Sequence, residues 1–239
     1  MKLKYNVFLL ALMSITQLHS AENISLGMSI YSADYPKFLT FFQNDGYNVN
    51  TTYEGSPMLH VALEAYADIK EIPTLQLQNR LAPVSKMFTF LIENEDLLIN
   101  KTDPEKNTAL HIAIQRGLPE IVPLLLSHGA DINAQNKDGN TPLHEAVLYS
   151  NPGIVTLLLK NNARTDIKNN QSVTPYQMTL EQLDALNSTK TLLENPKDLK
   201  GKEERLSTIR DILKAVNPYH MQKNIVKIKP TENICVTFE

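Results

Sequence analysis

The apolar and polar positions between residues 107 and 166 follow one pattern written twice. Asn107-Thr108-Ala109-Leu110-His111-Ile112-Ala113 returns as Asn140-Thr141-Pro142-Leu143-His144-Glu145-Ala146, 33 residues later. The register holds along each copy, because Ile121-Val122 recurs as Ile154-Val155, Leu124 to Leu126 as Leu157 to Leu159, and Asn133 as Asp166. Self-similarity kept over a whole period predicts stacked supersecondary units. Within each unit, Thr108 or Thr141 is placed to cap a helix, and Pro142 at a first helical position loses no hydrogen bond. The histidine one turn in faces nearby hydroxyl and backbone groups. The leucine triplet reads as the buried part of a second helix, closed by Gly129 or its counterpart Asn162 in the left-handed conformation. Asp131, Asn133, Asn136, Asp138 and Gly139 are turn formers that predict a projecting loop or hairpin. One helix pair cannot cover its own apolar face, so neighbours must stack on it.

Outside this core the pattern loosens. Residues 23–50 read as a degenerate first unit, with Phe38-Leu39 and Phe41-Phe42 at second-helix positions; atypical terminal units are expected because they cap the core. The next unit opens at Pro57-Met58-Leu59-His60, and His60 precedes His111 by 51 residues rather than 33. The surplus predicts an insertion over 67–84, carrying Pro73 and Pro83, with the second helix resuming near Phe88. A fourth unit opens at Thr174-Pro175-Tyr176-Gln177, where Gln177 stands for the histidine and Thr179 for Ala146; its pattern decays after Leu186, and Leu192-Leu193 continue its second helix. Leu206, Ile209, Ile212, Leu213 and Val216 predict one amphipathic helix over 203–216 that seals the C-terminal end. Beyond it, alternation at Ile225, Val226, Ile228, Ile234, Val236 and Phe238 reads as short strands.

Thr141-Pro142-Leu143-His144, Gly129-Ala130-Asp131-Ile132-Asn133 and the 33-residue spacing resemble the ankyrin repeat. The resemblance implies an L-shaped helix-loop-helix-hairpin unit and a protein-binding role. The expected fold is an all-α helical repeat solenoid with short β-hairpin loops, holding about four repeats including the degenerate N-terminal one. Its expected organisation is a leader over 1–21, a repeat domain over 22–196 and a capping helix with tail over 197–239.

The leader has Lys2 and Lys4 as a basic start, a mostly apolar run from Val7 to Ile15, and Ser20-Ala21 near a cut site, although His19 stands where a small residue is preferred. Its alternative is an uncleaved anchor or a buried first helix. The run is short for a bilayer span, so no stable membrane insertion is expected after cleavage. A single cysteine, Cys235, rules out an internal disulfide framework, so an exported chain rests on packing alone, which fits a bacterial envelope protein. Residues 22–196 carry 12 basic and 20 acidic side chains, a surface that repels phosphate, so no nucleic acid is expected as ligand. Residues 197–239 carry 9 basic and 6 acidic ones, but acids interrupt the basic residues, which favours a solvated face over a dedicated anion site.

The candidate chemistry is thin. His60, His111 and His144 hold equivalent positions, yet adjacent repeats lie about 8 to 10 Å apart, whereas zinc ligands lie about 2 Å from one ion. Cys235 and His220 lack a recognisable catalytic context. Phosphate-loop, His-Glu-x-x-His and Gly-x-Ser-x-Gly motifs are missing from the sequence, so neither a cofactor nor catalysis is expected. The display positions, by matching the repeats, are Glu105, Asn107, Gln115, Arg116, Lys137, Asp138, Asn140, Glu145 and Tyr149, with Tyr149 the expected anchor. The reading is a monomeric, non-enzymatic binder of a partner protein through a concave face, exported across the inner membrane to the periplasm or secreted. Its alternatives are an effector acting on a host protein in the host cytoplasm, and an enzyme with its site in the insertion or tail.

Overall fold

The computed structural model describes residues 21–43, 47–70, 75–190 and 197–216. Residues 1–20 of the leader and the C-terminal tail with Cys235 and His220 therefore lie outside the described residues, as do Leu192-Leu193. The chain forms two compact units, residues 1–101 and 102–239.

In the first unit, α1 (Ala21–Tyr31) and α2 (Tyr35–Gln43) pair with each other, and α1 also packs on α3 (Met58–Lys70). Helix α4 (Leu75–Ile92) packs on α2 and α3. Phe38 and Phe41 are the buried residues of α2, and Phe38, Phe42 and Phe90 meet in tilted and edge-on pairs with ring centroids 5.0 to 5.7 Å apart. Before α3 stands a two-residue hairpin, β1 (Thr52–Tyr53) with β2 (Ser56–Pro57), turned by Glu54 and Gly55. Both turn residues have positive φ, the conformation that matches the twist of the strands it joins.

The second unit contains the regular repeats. Helices α5 (Ala109–Gln115), α7 (Pro142–Leu148) and α9 (Pro175–Lys190) pack side by side, with α6 (Val122–Ser127) against α5 and α8 (Pro152–Lys160) against α7. Gly129 and Asn162 take positive φ, as their turn chemistry predicts. Each closes the helix before it: Gly129 N–H donates to the Leu126 carbonyl and Ala130 N–H to that of Leu125, and Asn162 and Ala163 do the same for Leu159 and Leu158. Hairpin-shaped tips follow the same period. Lys106, Gly139 and Ser172 all have positive φ, and each tip is closed by paired backbone bonds such as Asn136 N–H to Asn140 O. Only Leu125 and Leu158 of the two leucine triplets are buried; their flanking leucines are half-buried.

Two expectations change. The described residues of 67–84 are helical: α3 runs 13 residues where α5 and α7 have 7, and α4 starts at Leu75 rather than near Phe88. Likewise α9 is one helix of 16 residues, and the place of its second helix is filled by α10 (Lys197–Val216), which packs on α9 and α8 and starts before Glu203. Both changes have one cause, six residues after the helix-start His or Gln. Gly117 and Ser150 stand there in the regular repeats with φ +65° and +51°, and break the helix. Tyr66 and Leu183 occupy the same position in the long helices, and such side chains resist a left-handed backbone, so the helix runs on.

Ser150 is the weak member of this pair. It holds a conformation that suits glycine, and its Oγ is buried without a hydrogen-bond partner. Relief of the backbone cost and of the stranded hydroxyl outweighs the extra unfolded-state freedom of glycine. Ser150→Gly is expected to raise stability by about 1 kcal/mol, read as a higher urea midpoint at unchanged slope. A lowered midpoint would show that the hydroxyl is satisfied.

Candidate partner-binding surface

His111 and His144 are bound from both sides. His111 Nδ1 lies 3.2 Å from Thr108 N and 2.9 Å from Thr108 Oγ1, while Nε2 lies 3.1 Å from the Asn140 carbonyl. His144 repeats this with Thr141 at 3.2 and 2.8 Å and the Val173 carbonyl at 3.0 Å. A backbone N–H only donates and a carbonyl only accepts, so Nδ1 is the acceptor and Nε2–H the donor. Each ring thus holds its own helix start and ties it to the next repeat. Gln177, in the last repeat, keeps the first task alone: its Oε1 accepts from Thr174 N–H at 2.9 Å and from the Thr174 hydroxyl at 3.1 Å. Among the described residues there is no group of three or more His, Cys, Asp or Glu side chains placed to hold a metal ion.

Burial lowers the pKa of His111 and of His144, against the carbonyl bonds and the nearby Glu145, with Asp103 also near His111, which favour the charged form. The unfolded chain therefore binds protons more readily, and stability falls as pH drops below about 6.5 toward the folded pKa values. A urea midpoint that is flat from pH 8 to 7 and then declines is expected, by at most about 1.4 kcal/mol per pH unit for each histidine. His144→Gln, copying Gln177, should flatten that decline; an unchanged slope would place the titration elsewhere.

The display residues expected from the sequence divide into two sets. Asn107, Asn140 and Glu145 are buried, at 8, 7 and 3% exposure, and are not displayed. They belong to a ladder of amides. Asn136 Nδ2 donates to Asn107 Oδ1 and to Glu145 Oε1, both at 3.1 Å. Asn140 Nδ2 donates to Glu145 Oε1 at 3.1 Å, Gln115 Nε2 to Glu145 Oε2 at 3.3 Å, and Asn169 Nδ2 to Asn140 Oδ1 at 3.0 Å. The same short polar types that suit a displayed position also suit this ladder, which is why the sequence misleads there.

Glu105, Arg116, Lys137, Asp138 and Tyr149 are exposed, and Gln115 is half-buried. The tips are stitched to one another: Lys137 Nζ meets Glu105 Oε2 at 3.0 Å, Lys137 N–H donates to the Glu105 carbonyl at 2.8 Å, and Asn170 N–H to that of Asp138 at 3.0 Å. The Glu105 hydrogen bond holds the pKa of Lys137 above its ordinary value. Both side chains are more than half exposed, so water and salt screen this pair and it orients more than it stabilises.

At the C-terminal end of α7, Leu148 and Tyr149 are 44 and 52% exposed. Their counterparts at the 33-residue period are Gln115 and Arg116 on α5, and Glu181 and Gln182 on α9. Leu148 and Glu181 were reachable from the sequence, since Gln115 belongs to the same column. Elsewhere, in the first unit, α2 and α4 border an open cleft of about 400 Å³ lined by Tyr35, Ser85, Lys86, Thr89, Phe90 and Glu93. Among the described residues no helix is long and apolar enough to cross a membrane.

No curated protein matches the chain. A family model described as ankyrin repeats (3 copies) matches residues 83–171, a span that holds His111, His144, the amide ladder and the Leu148-Tyr149 pair. Residues 83–171 of this chain are ankyrin repeats.

Proposed function

We propose that this protein is an exported, non-enzymatic binder that holds a partner protein on the exposed ends of α5 and α7, the matching turn of α9 at Glu181, and the hairpin tips beside them. Ankyrin repeats are generally protein–protein interaction modules. The observation that carries the reading is the pair Leu148-Tyr149: two adjacent large apolar side chains stand in water on a repeat whose other large apolar residues are buried or half-buried. An aromatic anchor with hydrogen-bonding neighbours is the usual composition of an interface hot spot. Export rests on the leader pattern of Lys2, Lys4 and the Val7 to Ile15 run.

The test is affinity capture from the producing cell with the wild-type chain, Tyr149→Ala and Leu148→Ser, alongside fractionation of the cell. Tyr149→Ala is expected to weaken the captured partner about thirtyfold, equivalent to about 2 kcal/mol, while the melting curve stays in place. Full retention of the partner by both variants would overturn the surface, and a chain found only in the cytosol would overturn export. A partner recovered from infected host cells instead of the envelope would favour action on a host protein.

A further inference from the structure

The columns that cross α5, α7 and α9 carry a charge order as well as an apolar centre. Arg116 lies exposed just past α5, Leu148 and Tyr149 at the end of α7, and Glu181 on α9, Arg116 sharing the column of Tyr149 and Glu181 that of Leu148. Neighbouring packed helices are about 8 to 10 Å apart, so a positive group, an apolar pair and a negative group follow one another at that spacing. Building on the surface proposed above, we infer that its occupant is a polyproline-II segment of the partner with an acidic residue, an apolar residue three positions on, and a basic residue three further.

The conformation follows from the spacing. A polyproline-II chain rises about 3.1 Å per residue with three residues per turn, so every third side chain points the same way at about 9 Å intervals. An extended β-strand puts same-side residues about 7 or 13 Å apart, and neither value fits the columns. An exposed tyrosine ring is also the surface on which such segments pack. The charges are set by complementarity: the acid faces Arg116, the base faces Glu181, and the apolar side chain sits on Leu148 and Tyr149.

Three labelled peptides test this by fluorescence anisotropy against the full chain: Asp-Pro-Pro-Leu-Pro-Pro-Lys, its doubly acidic form ending in Asp, and its doubly basic form starting with Lys. Reversing the chain direction exchanges the two charges of the mixed peptide, so Lys-Pro-Pro-Leu-Pro-Pro-Asp is measured as well and the tighter of the two mixed peptides is the one ranked. Wild type is expected to prefer the mixed peptide by about threefold to fivefold at low ionic strength, as one exposed charge pair allows. Glu181→Lys should move the preference to the doubly acidic peptide and Arg116→Glu to the doubly basic one, with salt levelling all three. Equal binding of the three peptides, no binding at millimolar concentration, or a ranking unmoved by the two charge variants would each overturn the inference. A cellular partner still lost by Tyr149→Ala would then leave the surface standing and only the segment's chemistry wrong, whereas a partner kept by Tyr149→Ala would remove the surface itself.

Discussion

Asn136→Ala is expected to lower the unfolding free energy by about 3 kcal/mol, although the residue sits in a hairpin tip where substitutions are usually tolerated. Its Oδ1 accepts from Asp138 N–H at 3.1 Å and from Asn140 N–H at 3.0 Å, which shapes the turn. Its Nδ2 donates to Asn107 and to the carboxylate of Glu145, both buried. Alanine removes all four bonds, strands the Asn140 N–H and leaves Glu145 Oε1 with the Asn140 Nδ2 bond alone, and stranding a buried group costs more than a formed bond contributes. The preceding repeat has Asp103 at this position, and there the counterpart of Glu145 is Ile112. Asp103 thus goes with an apolar residue and Asn136 with a carboxylate, while in the last repeat Asn169 goes with Met178. Asn136→Asp should therefore keep the turn acceptor and still destabilise, because two carboxylates would meet, and the double variant Asn136→Asp with Glu145→Ile should recover most of the loss. Urea melts of the three variants decide it: a loss under about 0.5 kcal/mol for Asn136→Ala, or no recovery in the double variant, would remove the ladder from the account.

The ladder also shows what the sequence alone can and cannot reveal. Helix starts at Thr108, Thr141 and Thr174, and the left-handed positions at Gly129 and Asn162, are legible because each depends on one residue's own conformational preference. The lengths of α3 and α9 depend on a local signal too, the residue six after the histidine. That signal emerges only when the repeats are laid over one another, with Tyr66 and Leu183 beside Gly117 and Ser150. The burial of Asn107, Asn140 and Glu145 is of another kind. It depends on amides that the neighbouring repeat brings within 3.3 Å, and residue type does not separate a polar side chain facing water from one facing another amide. Of the candidate surface, Arg116 and Tyr149 are legible for the same reason as the helix starts: they stand just before the residue that breaks the helix, where the chain turns into solvent.

Leu125→Ala is expected to cost about 2 to 5 kcal/mol, the second large effect. The residue is 0% exposed on α6, a helix of only 6 residues that packs on α5, so short that its stability comes from tertiary contact rather than from its own hydrogen bonds. Its carbonyl also accepts the Ala130 N–H of the left-handed cap, so the side chain and the turn that ends the helix are placed together. Removing three carbons leaves a cavity that short, capped helices on either side can close only by shifting the cap. Leu124 and Leu126 are half-buried, and their alanine variants should cost less than half as much. Thermal melts of the three single variants give the result. Equal losses at all three positions would mean that the face of α6 is turned, and with it the placement of Gly129 and of the hairpin tip that follows.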